Sequence, residues 1–270
     1  MRVSYYPGCS LEGTAKEFDV STRAVCKALG IELRELEDWS CCGATSAHST
    51  NDYLAVALPA RNLTIAEKTG LDIVTPCAAC FQRLKVAEKH LAEKPLAEFP
   101  YQGKIKIDHL LNLCTRPEVM EKVKSSVKKP LKGLKVVCYY GCLTTRPPKI
   151  TDAAEYENPQ NMDELMRALG AESIDWSYKT ACCGNSLVLG RADIVKTMVG
   201  KLLDKAREAG ADAIVTCCPM CQSNLESARS MPVFYFTELL GMVMGLPGTE
   251  KWLKQHLVNP MPLVAAKGLI

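Results

Sequence analysis

The chain has 270 residues, 47% hydrophobic and 23% charged, with a formal net charge of +3; such a balance supports a buried core and excludes a disordered chain. No apolar run approaches the ~18 residues of a membrane span, since the greasiest segment, Phe234 to Leu246, is broken by Thr237, Glu238, Gly241 and Gly245. So mild a charge, with 5 Phe, 9 Tyr and 3 Trp available for stacking, sets a nucleic-acid role aside.

The elements then read in order. Met1 to Tyr6 is a β-rich run leading to Cys9, followed by helix-compatible sequence from about Thr14 to Leu29. An amphipathic helix ending at Gly70 leads into Asp72 to Thr75, a compact apolar run of buried-strand type, and then into Cys77-Ala-Ala-Cys80. A helix from Phe81 to Glu93, a strand from Lys104 to Asp108 and a helix marked by Leu110-Leu111 complete the series. The segment Glu121 to Lys135, with six lysines and Pro130, reads as a solvated helix and linker. The series then starts again. Leu134 to Tyr140 is a strand leading to Cys142; a helix follows at Met162 to Leu169, and another ends at Gly210. Ala213 to Thr216 leads into Cys218-Pro-Met-Cys221, a helix from Gln222 to Arg229, a strand from Val233 to Phe236 and a helix marked by Leu239-Leu240. Strand alternating with helix predicts an α/β fold: two tandemly duplicated domains, residues 1–130 and 131–270, related by a pseudo-two-fold and each built on a mostly parallel sheet.

The 14 cysteines carry the repeat. Cys9, the pair Cys41-Cys42-Gly43 and the Cys77/Cys80 motif recur as Cys142, Cys182-Cys183-Gly184 and the Cys218/Cys221 motif. Cys42 to Cys77 and Cys183 to Cys218 are both 35 positions, whereas 32 positions from Cys9 to Cys41 become 40 from Cys142 to Cys182, an insertion of eight near Pro147 to Pro159. At about 5% of the chain, cysteine falls below the ~8–10% of a disulfide scaffold, so metal or redox chemistry is the expectation. Each cysteine motif follows a strand, where the carboxyl ends of a parallel sheet and the following helix N-termini converge on ligands. The glycine after each pair permits a positive φ that turns adjacent thiolates toward one site. Five thiolates per half exceed the four of structural zinc or of an ordinary cubane cluster. Iron–sulfur binding is the favoured reading, with zinc in one half and inert buried thiols as the alternatives. Cys26, Cys114 and Cys138 read as small core hydrophobes, and Cys217 stands outside the repeat's register at the position of Pro76.

Two copies of Cys…Cys-Cys-Gly…Cys-x-x-Cys resemble the cysteine-rich CCG domain, found twice in the B subunit of heterodisulfide reductases. The likeness spans Met1 to about Met242, with no motif cysteine missing. It implies two non-cubane [4Fe-4S] clusters, each on five cysteines of which one bridges: Cys9, Cys41, Cys42, Cys77 and Cys80 for one, Cys142, Cys182, Cys183, Cys218 and Cys221 for the other. It further implies a catalytic subunit that cleaves a mixed disulfide, of coenzyme M and coenzyme B in methanogens, to two thiols. The chemistry is coherent on its own terms, because cleaving a disulfide takes two electrons and yields two thiolates.

No G-x-G-x-x-G or flavin signature is present, so electrons are expected from elsewhere. By resemblance they come from a ferredoxin-like C subunit carrying cubane [4Fe-4S] clusters, fed by a flavin-containing A subunit. The start of the chain has no basic segment followed by an apolar run, and the expected location is a cytoplasmic complex. The same paired domain also serves in glycolate, lactate, succinate and thiol-linked fumarate oxidoreductases, which leaves an electron-relay role without a disulfide substrate as the alternative. An anionic disulfide would call for cations near the motifs, for which His48, Arg146, Lys149 and Arg191 are the candidates.

Overall fold

The computed structural model describes residues 1–44 and 47–270. The first half contains the strands β1 (Arg2–Tyr5), β2 (Glu32–Glu35), β3 (Ile73–Thr75) and β4 (Ile107–His109). Its helices are α1 (Cys9–Glu12), α2 (Lys16–Ala28), α3 (Ala47–Thr50), α4 (Asp52–Lys68), α5 (Ala78–Glu93), α6 (Leu110–Cys114) and α7 (Pro117–Ser126). The second half contains β5 (Lys135–Tyr139), β6 (Glu172–Ile174), β7 (Ala213–Thr216) and β8 (Val233–Tyr235). With them come α8 (Pro148–Thr151), α9 (Asn161–Ala168), α10 (Ala192–Glu208), α11 (Pro219–Ser227), α12 (Phe236–Met244), α13 (Thr249–Leu253) and α14 (Met261–Ala266).

Each half forms a four-stranded sheet, ordered β2-β1-β3-β4 in one and β6-β5-β7-β8 in the other, with every pairing parallel. The shared order and sense are those of a tandem duplication. The inner strands β3 and β7 are buried throughout, which is why they read as unbroken apolar runs. Edge strands β2 and β6 were not expected: Glu-Leu-Arg-Glu and Glu-Ser-Ile have largely accessible side chains and show no apolar run to signal a strand. The helix after each CxxC also begins earlier than expected, at Ala78 and Pro219 rather than Phe81 and Gln222, so that the second cysteine of each motif lies in the first helical turn.

The halves exchange helices. α12 leaves β8 and packs on α2 of the first half, where Phe18 stacks on Tyr235 at 4.0 Å and Ser21 shares a 2.8 Å hydrogen bond with Thr237. Reciprocally, α6 leaves β4 and packs on α9 of the second half. One buried apolar cluster therefore runs through both halves, including Phe18, Val25, Leu110, Leu113, Leu165, Met166, Leu239 and Leu240. The inserted α8 packs on α5, and Asp152 just beyond it pairs with Lys85 at 2.7 Å and Lys89 at 2.8 Å.

The C-terminal segment is fastened to the second half by charge. Buried His256 places Nδ1 2.7 Å from Glu226 of α11 and Nε2 2.9 Å from Glu238 of α12. Burial alone would push this imidazole down; Glu238 and Glu226 outweigh it and raise its pKa to about 10.

Candidate metal centres

All three cysteine-bearing segments of each half lie beyond the carboxyl ends of parallel strands. Cys9 opens α1 after β1, Cys41 and Cys42 lie in the loop after β2, and Cys77 caps α5 after β3 with Cys80 in the first turn. Cys142, Cys182 with Cys183, and Cys218 with Cys221 repeat this after β5, β6 and β7. The local geometry is repeated as well. Cys42 Sγ lies 3.3 Å from Cys80 Sγ, and Cys183 Sγ 3.6 Å from Cys221 Sγ. Gly43 and Gly184 take φ of +76° and +79°, as expected for glycines that turn each pair inward, and their N–H groups donate to Cys41 Sγ and Cys182 Sγ at 3.4 and 3.3 Å.

Cys9, Cys41 and Cys182 are exposed and Cys142 half-buried, whereas Cys42, Cys77, Cys80, Cys183, Cys218 and Cys221 are buried. Sulfurs so crowded cannot all ionise unaided, and their pKa values move apart. Hydrogen bonds from Cys42 and Cys9 pull Cys41 down to about 2, while sharing with Cys41 pushes Cys42 up to about 11 and Cys9 far up. In the second set the hydrogen bond from Cys142 pulls Cys182 down to about 6, and Cys142 is driven up in return. Full deprotonation of either set needs a compensating positive charge.

The two sets also meet. Cys77 and Cys218 feel each other electrostatically across the halves: Cys218 pushes the Cys77 thiol well up, while Cys221 and then Cys77 hold Cys218 well down.

Several residues outside the cysteines build these sites, among them a tyrosine three residues before Cys9 and its counterpart three residues before Cys142. Fully buried Tyr6 donates at 2.7 Å to the carbonyl of Ser40, the residue before Cys41, and fully buried Tyr139 donates at 2.7 Å to that of Ala181, before Cys182. Burial and the surrounding thiols push both phenols far up, so each stays a neutral donor. The hydroxyls of Thr75 and Thr216, two residues before each CxxC, are buried without a hydrogen-bond partner. Gly8 and Gly141, at φ +75° and +70°, bring backbone against sulfur: an added Cβ would lie 2.8 Å from Cys80 Sγ and 2.9 Å from Cys221 Sγ.

Among the described residues no three His, Cys, Asp or Glu side chains close on a single ion position. What the chain offers is a pair of wider, all-sulfur donor sets flanked by orphaned hydroxyls. Such sets fit a multi-atom, thiolate-ligated group such as an iron–sulfur cluster.

Cys26, Cys114, Cys138 and Cys217 are buried as expected of core thiols. The four candidate substrate cations fare differently. Arg146 and Lys149 are exposed, Arg191 forks onto Asp193 at 2.8 and 3.0 Å, and half-buried His48 meets Ser49 Oγ at 3.4 Å. Among the described residues no side-chain hydrogen bond or ion pair joins any of them to a candidate cysteine or to one another. The open cavity beside Cys9 and Cys41 is lined by Glu12, Glu35, Glu37 and Asp38 rather than by cations.

The family model for the cysteine-rich domain named CCG matches residues 3–85 and 136–226. The chain is 32% identical to the 8-methylmenaquinol:fumarate reductase membrane anchor subunit of Wolinella succinogenes, over 96% of this chain and 98% of that one. It is 29% identical to the B subunit of the ferredoxin/F420H2-dependent CoB-CoM heterodisulfide reductase of Methanosarcina acetivorans, over 98% and 96%. In fold it is similar to a hypothetical protein from Helicobacter pylori, with a TM-score of 0.75 at 12% identity. That superposition covers 96% of this chain but about half, 52%, of the solved one.

Proposed function

The chain belongs to the CCG cysteine-rich domain family, carrying the domain twice, and from that premise we propose that it is the catalytic iron–sulfur subunit of a heterodisulfide reductase. In this reading Cys9, Cys41, Cys42, Cys77 and Cys80 hold one non-cubane [4Fe-4S] cluster, and Cys142, Cys182, Cys183, Cys218 and Cys221 hold the other. When bound, such clusters supply electrons one at a time, and cleavage of R–S–S–R′ consumes two electrons and two protons to give RSH and R′SH. The observation that carries the reading is the repeated sulfur geometry beyond the carboxyl ends of the two sheets, Cys42 Sγ 3.3 Å from Cys80 Sγ in one half and Cys183 Sγ 3.6 Å from Cys221 Sγ in the other.

The chain's own groups prepare those sites. Tyr6 and Tyr139 fix the carbonyls before the two cysteine pairs, which sets where Cys41, Cys42, Cys182 and Cys183 project. Gly8 and Gly141 let the loops close down on Cys80 and Cys221. Exposed Cys9, Cys41 and Cys182 keep each site open on its solvent side. Electrons reach it from a partner, a ferredoxin-like protein fed by a flavin-containing one, in a cytoplasmic complex. No helix among the described residues is long and apolar enough to cross a membrane.

Anaerobically purified chain is expected to contain about eight iron atoms, with matching sulfide, and to reduce a coenzyme M–coenzyme B type disulfide when given reduced viologen. Stoichiometric zinc in one half would overturn the cofactor assignment. The relative named as part of a fumarate reductase favours a second reading, an electron relay for a flavin-containing oxidoreductase. Iron-replete chain that turns over no disulfide with that donor would decide for it.

A further inference from the structure

Superposing the two repeat texts pairs Arg83 with Asn224, each three residues after the second cysteine of its CxxC. Each stands one helical turn beyond that cysteine, on the same face of its helix. Asn224 Nδ2 donates to the carbonyl of Cys183 at 3.0 Å. Arg83, half-buried, donates through Nη2 to the carbonyl of Ala55 at 2.6 Å, on α4, the second helix after Cys41 and Cys42. Its Nε is buried with no hydrogen-bond partner, and its Cα lies one turn of α5 from Cys80, whose Sγ is 3.3 Å from Cys42 Sγ, so the guanidinium and the Cys42 sulfur attract. The first thiol set therefore has an interior cation where the second has a neutral amide.

Other charges do not cancel the difference. At the rim of the first set, Glu35 is bonded to Arg23 and Asp38 to Arg61, while Glu12 and Glu37 are solvent-exposed and screened. On the second side the buried cation Lys179, three residues before Cys182, is met by Asp163 at 3.3 Å and Asp175 at 3.0 Å.

We propose that Arg83 makes the two centres electrically inequivalent, holding the first at the higher reduction potential so that it is the first to take an electron. The inference rests on the iron–sulfur reading above. Adding an electron makes a thiolate-ligated cluster more negative, and a fixed, poorly solvated guanidinium stabilises that reduced state. Arg83 is a positioning and tuning residue: it touches no substrate and does its work through charge.

The test is an anaerobic redox titration followed by electron paramagnetic resonance, with the first centre assigned in C182S, which retains the first set alone. Arg83→Asn, which copies the second repeat, is expected to move the first midpoint to more negative potential by about tenfold in the one-electron equilibrium, ~59 mV. The second midpoint should stay put. Arg83→Lys should retain most of the difference, and Asn224→Arg should raise the second midpoint toward the first. Unmoved midpoints in an iron-replete Arg83→Asn chain would overturn the proposal. Equal loss of the first centre from the Asn and Lys variants would also overturn it, assigning Arg83 to packing. Loss from the Asn variant alone would support a requirement for charge. Wild-type chain without iron would overturn the underlying reading and this inference together.

Discussion

At Gly8 and Gly141 a single methyl group would be driven into the sulfur of Cys80 or Cys221, and the positive φ there strains any other residue as well. Gly8→Ala is expected to remove roughly half of the bound iron, as is Gly141→Ala, each leaving the opposite half loaded; full iron in both would show that the loops can yield. Cys41→Ser and Cys182→Ser should each destroy one centre and most disulfide-reducing activity, whereas Cys26→Ser, in a buried core position, should leave iron content unchanged. Equal loss from all three would disprove the ligand assignment. Tyr6→Phe removes one of the two donors to the Ser40 carbonyl and leaves the other, Asn62 Nδ2 at 2.8 Å, so it should cost only about 0.5–1.5 kcal/mol, and its expected signature is an altered resonance spectrum of the first centre only. The cysteines were legible because five identical residues do not recur at matched offsets by chance. Tyr6, Tyr139 and Arg83 were not, because their significance lies in which carbonyl or thiol each one meets across the chain, a relation that spacing does not encode. For the candidates His48, Arg146, Lys149 and Arg191, nearness in sequence to a motif does not fix where the side chain goes: Arg146 and Lys149 extend to solvent, Arg191 turns to Asp193 and half-buried His48 meets Ser49.

Among the elements, α12 is held on both sides. Its Gly241 lies beneath Trp252 so closely that an added Cβ would stand 2.5 Å from the ring. Gly241→Ala should therefore destabilise the fold by about 1–3 kcal/mol through overpacking, read as a lower melting temperature with iron content retained. The helix also carries Glu238, whose partner His256 has a pKa raised to about 10. A raised folded-state pKa means that the native state holds the extra proton, so this contribution is complete below about 6.5 and fades as pH climbs through about 10. The stability difference between wild type and His256→Gln should accordingly shrink between pH 7 and pH 10; a constant difference would show that the imidazole acts through packing alone. The strands and helices that bury an apolar face were legible for the reason that burial writes a pattern. Strands β2 and β6 were hidden because an edge strand open to solvent needs no such pattern.

For the molecule as a whole, the decisive feature is that α12 covers α2 while α6 covers α9. Neither half contains all the surfaces its own core requires. Residues 1–130 and 131–270 produced separately should each be aggregation-prone or poorly folded, with cooperative unfolding restored when the two are expressed together. Independent, stable folding of either fragment would show that the repeats are self-sufficient domains.

That exchange also says what linking the repeats accomplishes. Two separate copies of such a unit could close their cores only by embracing as a two-fold dimer, and their association would depend on concentration. Joined by the segment from α7 to β5, the same embrace becomes intramolecular and persists at any dilution. Identical copies would also be bound to carry identical surroundings at both sulfur sites. A single continuous chain is free of that symmetry: an insertion can grow beside Cys142 without a counterpart beside Cys9, and an arginine can stand in one half where the other keeps an asparagine.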